Sequence, residues 1–233
     1  MKNRIAGLCL LLILSASFPG AEAKDAKKTA PPDIDLTLYL APPPANDSDQ
    51  TKAEIEEILK IQKNRTPDME AAAQADAEEV VFRFADVLGP NFSADKLPLT
   101  AVFYAKIHEA EGNNVDPAKD IWARPRPFLQ DSRVKPCVKL SKSGSYPSGH
   151  ATTGTLFAIF LARMVPEKKA ELFTRAQVYS HNRMVGGVHY QGDLEAGRIA
   201  GTLIAAELWR KKGFQKEFEN AKKELRGVLG FTN

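Results

Sequence analysis

Between Lys119 and Asp193 the chain holds three short clusters whose residue types suit one task, the handling of a phosphate group. Lys119 is followed after six residues by Arg126-Pro127. Pro147-Ser148-Gly149-His150 comes next, and then Arg183, five residues, His189, three residues, Asp193. Phosphate spreads its charge over several oxygens, so a site for it needs fixed cations and aimed donors. Arg126 and Arg183 bring guanidinium forks that can each bind two oxygens, and Lys119 brings a point charge. Pro127 stiffens the chain directly after Arg126. Taken alone, Lys119 and Arg126 read equally as a solvated face.

Ser148-Gly149-His150 stands where a helix should begin. The first N–H groups of a helix lack partners and lie at the positive end of its dipole, so they bind anions. Gly149 lets an anion come close to the backbone. The Ser148 hydroxyl can cap the helix or donate to an oxyanion. His150 then stands beside the anion, able to protonate a leaving group. His189 and Asp193 are four apart at another helix start, which stacks them on one face. Asp193 can accept the Nδ1 proton of His189 and leave Nε2 with its lone pair outward, an oriented nucleophile. A surface ion pair is the plainer reading of those two residues by themselves. His181, eight before His189, falls off the pattern and reads as a supporting or structural residue.

The elements that must position these clusters are helical. Asp47 or Ser48 caps a predicted helix over 50–62, with Ile55, Ile58, Leu59 and Ile61 as its stripe. A second helix is predicted over 69–88, stopped by Gly89-Pro90, and a third over 99–112. His108 points away from the inner face of that third helix and is expected at the surface. Pro117 is expected to open a separate turn carrying Lys119. Residues 124–146, with three prolines and Gly144, read as a long irregular loop of the kind that carries function. Ser148 caps a helix to Met164 that is apolar enough to be central but too short to span a bilayer. Helices over 167–185, 190–212 and 215–229 complete the chain. Leu36–Leu40 is expected to run extended over the body of the domain, or as a lone edge strand. The fold class is therefore all-α, an irregular bundle forming one domain over 49–233, preceded by an extended segment over 24–48.

Residues 1–23 read as a secretory signal peptide: Lys2 and Arg4, an apolar core from Leu8 to Ala16, and Ala21-Glu22-Ala23 as the cleavage site. Its removal takes Cys9 and leaves Cys137 alone, so the exported chain relies on its core rather than on internal disulfides. Cys137 reads as an inert thiol or, less simply, one half of an intermolecular bridge. A formal charge of +3 over 233 residues gives no reason to propose nucleic acid or an anionic membrane surface as partner. No anchor is expected after signal cleavage, and homo-oligomerisation is left open.

The three clusters resemble, in order, the signature of the PAP2 phosphatase superfamily: Lys-x6-Arg-Pro, Pro-Ser-Gly-His and Ser-Arg-x5-His-x3-Asp. The strings from Trp122 to Phe128 and from Gly144 to His150, with Pro42-Pro43-Pro44 upstream, are similar to class A bacterial non-specific acid phosphatases. Asn182 and Ala151 depart from that pattern, where Ser and Thr are usual. The sequence shows no His, Asp or Cys cluster at ligand spacing, so no metal and no cofactor are expected. The resemblance implies a periplasmic acid phosphatase acting on small phosphate monoesters. It implies His189 as nucleophile, His150 as acid and Asp193 as orienter. Lys119, Arg126, Ser148, Gly149 and Arg183 would hold the phosphate. The same scaffold serves vanadium-dependent haloperoxidases, which hold vanadate in the phosphate position. A periplasmic phosphate-binding protein is the reading outside enzymology, although it leaves both imidazoles without a task.

Overall fold

The computed structural model describes residues 33–231, so the expected signal peptide and the first part of the 24–48 segment lie outside the described residues. Helix α1 spans Asp49–Asn64, and Ser48, not Asp47, caps it by accepting from the Thr51 N–H at 3.1 Å. Helix α2 spans Pro67–Ala75 under a Thr66 cap. A 3-10 turn (Val81–Phe84) and α3 (Ala85–Leu88) follow, and Gly89 ends them in the left-handed region at φ 89°. Then come α4 (Pro98–Trp122), α5 (Pro127–Gln130) and α6 (Gly149–Met164). The chain closes with α7 (Lys169–Val185), α8 (Gln191–Arg210) and α9 (Phe214–Leu229). The described residues form no strand, which agrees with the all-α class.

Helix α6 is the axis of the bundle. Only His150, Ile159 and Arg163 among its residues are not buried. Helices α7 and α8 press on it most closely, with α4 and α9 behind. Small residues set the closeness. A Cβ on Gly197 of α8 would lie 2.5 Å from the Ser148 carbonyl oxygen, and one on Gly201 would lie 2.7 Å from that of Thr152. Gly154 of α6 gives the same clearance to the Tyr179 ring of α7. The Gly197 and Gly201 contacts seat the start of α6 against α8, so they fix the second cluster relative to the third. Phe84, Phe103, Tyr104, Phe157, Phe160 and Phe218 fill the far side edge to face. Arg163, the charge in the apolar run, leaves the core and lies 3.5 Å over the Trp209 ring.

Three elements differ from their sequence pattern. Leu36–Leu38 is a 3-10 turn capped by Asp35 rather than an extended strip, because the turn buries both Leu36 and Leu40. The predicted 69–88 helix stops at Ala75. Beyond it, buried Asp76 accepts from Arg83, Arg175 and Asn182, and the Glu78 carbonyl accepts from the Tyr179 hydroxyl. Those tertiary bonds replace the helix ladder. Finally, α4 runs unbroken through Pro117. The proline costs one hydrogen bond near the helix end, while Val115, Ala118 and Lys119 keep burying the same face. No helix among the described residues is long and apolar enough to cross a membrane.

Candidate active site

The third cluster is built by the start of α8. Asp193 sits at its third helical position and accepts from the Tyr190 N–H at 3.0 Å, satisfying a helix-end donor. The same carboxylate oxygen accepts from His189 Nδ1 at 3.1 Å and from the Ser145 hydroxyl. The other oxygen accepts from Arg124 Nη1 at 2.7 Å. Arg124 also donates to Glu54 of α1 at 2.6 Å and lies 3.8 Å over the Tyr190 ring. Asp193 is thus wholly enclosed by donors. Burial pushes its carboxyl up, and Arg124 and Ser145 hold it down.

His189 has a defined tautomer. Asp193 takes the Nδ1 proton, and Arg126 Nη1 lies 3.1 Å from Nε2 and donates to it. Burial, then Arg126, Arg183 and Lys119, hold the imidazole well below its ordinary range, which favours its neutral form. Arg126 is itself fixed by the Ser143, Gly144 and Val188 carbonyls. Burial and then Arg183 lower it to about 10, which leaves it charged at neutral pH.

In the second cluster the Ser148 hydroxyl accepts from the Ala151 N–H, so it caps α6. The Ser148 N–H donates to the Asp193 carbonyl at 3.0 Å, tying the start of α6 to that of α8. A Cβ on Gly149 would lie 2.8 Å from Glu111 Oε1 and 3.3 Å from Lys119 Nζ, so a side chain there would displace both groups at the cavity wall. His150 stacks on Tyr179, with Nε2 3.2 Å from the Ala77 carbonyl and Nδ1 3.1 Å from Glu79 Oε1. Burial and Arg183 push its imidazole well below the ordinary range, and the Ala77 carbonyl pulls the other way.

Lys119, Arg126, Gly149, His150, Arg183 and His189 line one cavity of about 560 Å³. Ser148 and Asp193 lie directly behind it. Arg183 is buried, and its Nε and Nη1 have no hydrogen-bond partner among the described residues. A groove of similar size, about 550 Å³, opens elsewhere beside His181, Gln191 and Arg198 and contains none of the three clusters.

Several residues of the site were not singled out from the sequence. Arg124 and Ser145 stand inside the strings that carried the resemblance, but spacing does not tell which arginine of Arg124-Pro125-Arg126 faces the cavity. Glu54 is far away in sequence. His108, expected at the surface, is half-exposed and lines the cavity with Glu79 and Glu111, because α4 turns that face toward the break after α2. Burial, then Glu79, pushes the Glu111 carboxyl up to about 8. Asn182 donates to Asp76 at 2.8 Å, so its amide braces the break rather than the cavity. Ala151 is buried against Gly197, where a larger residue would meet α8.

The family model described as PAP2 superfamily matches residues 99–217, the stretch that holds all three clusters. The chain belongs to the PAP2 superfamily. An acid phosphatase of Zymomonas mobilis is 32% identical over 200 residues, covering 82% of this chain and 75% of that one. A non-specific acid phosphatase of Salmonella typhimurium is 31% identical over 234 residues, covering 97% and 93%. One from Providencia stuartii is 30% identical over 253 residues, covering 97% and 98%. The enzyme class read from the motifs is the class of all three relatives.

Proposed function

We propose that this acid phosphatase acts after export, on small phosphate monoesters, without a metal and through a phosphohistidine at His189. The observation that carries the reading is buried Arg183, whose Nε and Nη1 have no acceptor among the described residues and which shares its cavity with the oriented Nε2 of His189. A buried cation without a partner is costly unless an anion meets it. Lys119, Arg126 and the first N–H groups of α6 complete the cradle for the equatorial oxygens, where charge must be neutralised in phosphoryl transfer.

In this reading Arg126 Nη1, 3.1 Å from His189 Nε2, turns to a phosphate oxygen, and Nε2 with its lone pair freed attacks phosphorus as the ester P–O bond breaks. The phosphate dianion opposes burial and Arg183 and brings His150 to the reaction protonated; His150 gives that proton to the departing alcohol, and one of its contacts, Ala77 or Glu79, yields to the ester oxygen. Asp193 stabilises the charged His189. A water then gives a proton to His150 and attacks phosphorus, the P–N bond breaks, and neutral His189 is restored. Export is supported by the sequence of residues 1–23.

Acid quenching with a labelled aryl phosphate tests the intermediate. Label should be trapped on the wild type and not on His189→Ala. A labelled His189→Ala protein would overturn the assignment. Phosphate release in EDTA, set against halide oxidation with vanadate and peroxide, separates this enzyme from a haloperoxidase, and turnover of either kind excludes a pure binder.

A further inference from the structure

We propose that Glu79, His108 and Glu111 form a divalent-cation site beside the phosphate cradle, with a ligand set that suits zinc. His108 and Glu111 are one turn apart on α4, so they share a face. Glu79 reaches them from the segment after the break of α2. One ligand atom from each lies within 4.8 Å of the other two, and His108 Nδ1 is 3.8 Å from Glu111 Oε2.

Two of the three groups lack ordinary partners. His108 Nδ1 is buried with no hydrogen bond. Glu111 is 5% exposed, and no hydrogen bond to its carboxylate is found among the described residues. Buried polar groups are as a rule hydrogen-bonded, so the buried, unpartnered Nδ1 of His108, facing the Glu111 carboxylate across 3.8 Å at the cavity wall, points to a third body between them. One imidazole and two carboxylates with room for water or a substrate oxygen is a zinc-type set.

The neighbouring charges set the terms. Lys119 and Arg183 oppose a cation here, whereas Asp116 favours one. Phosphate in the cradle offsets the former, so cation and phosphate should reinforce each other. Glu79 Oε1 is also the partner of His150 Nδ1 at 3.1 Å. A bound cation competes with His150 for that carboxylate, so zinc should slow turnover. Only this last consequence rests on the proposed mechanism.

The test is calorimetric titration of zinc chloride into the full chain stripped with EDTA, with no substrate present. One saturable site is expected in the wild type. Binding should weaken by about tenfold or more in both His108→Ala and Glu111→Gln, the scale on which zinc sites respond to lost support. Circular dichroism checks that both variants remain folded. Absence of saturable binding in the wild type, or unchanged affinity in the two folded variants, would overturn the site. Aryl phosphate turnover of the wild type in EDTA is measured alongside. Loss of that turnover would count against the metal-free mechanism and leave the zinc titration to be judged on its own.

Discussion

Arg124 does no chemistry in the proposed mechanism, yet its replacement by alanine should be among the most damaging changes in the chain. Its side chain is 1% exposed and forms ion pairs of 2.6 Å with Glu54 and 2.7 Å with Asp193, which are 9% and 0% exposed. Arg124→Ala leaves both carboxylates buried without their cation. Breaking a buried pair in this way costs about 3–5 kcal/mol, because the remaining charge is uncompensated. At about 2–4 °C per kcal/mol for a domain of this size, the melting temperature should fall by about 6–20 °C. Turnover should fall in the protein that remains folded. Asp193, already pushed up by burial, loses the cation that holds it down, takes a proton, and no longer accepts from His189 Nδ1. The assay is urea unfolding of the wild type, Arg124→Ala, Glu54→Gln and the double variant, with kcat measured below each transition. Glu54→Gln should relieve part of the loss, giving a coupling of about 0.5–3 kcal/mol. A loss below about 1 kcal/mol for Arg124→Ala would refute the reasoning, since it would mean that water reaches both carboxylates.

Arg183→Ala should weaken inhibition by inorganic phosphate by about 10–150-fold, the equivalent of about 1.5–3 kcal/mol for a charged hydrogen bond, read as Ki at fixed pH. Vanadate should compete with substrate, and EDTA should spare turnover; loss of activity in EDTA restored by a divalent ion would contradict the metal-free reading. Gly197→Ala should cost about 1–3 kcal/mol by overpacking, because its Cβ would lie 2.5 Å from the Ser148 carbonyl oxygen, and it should lower kcat by parting the second and third clusters. His189 is held below its ordinary pKa by burial, so the unfolded chain takes up a proton below about pH 6.5 that the folded chain refuses. Wild-type stability should therefore decline as pH falls through that value, and His189→Gln should flatten the decline in urea melts at stepped pH.

The apolar periodicity and the breakers placed α1 and α6 through α9 within a few residues, because in those helices the local signals and the tertiary burial agree. Ser148, Gly186-Gly187 and Pro166 end or begin helices by chemistry that needs no distant partner. Where local and tertiary terms conflict, the pattern misled. The 69–88 stretch has a helical stripe, but Asp76 finds Arg175 and Asn182 about a hundred residues away and the ladder breaks there. Pro117 suggested a boundary, and burial of Lys119 with its neighbours carried α4 across it.

Residue types and spacing by themselves picked out the groups that the structure brings around one cavity: the cations, the helix-start donors, the two imidazoles and the carboxylate four residues from one of them. Spacing within a helix start is enough to pair His189 with Asp193, since i and i+4 share a face. Only the tertiary structure decided what surrounds that pair. The enclosure of Asp193 joins Arg124, Ser145 and Glu54 from three separate stretches, and the facing of Glu79, His108 and Glu111 depends on a helix break opposite α4. Such contacts arise from how α1, the start of α8 and the chain after α4 meet. No term in the sequence periodicity records them, because each partner sees the others only once the helices have packed.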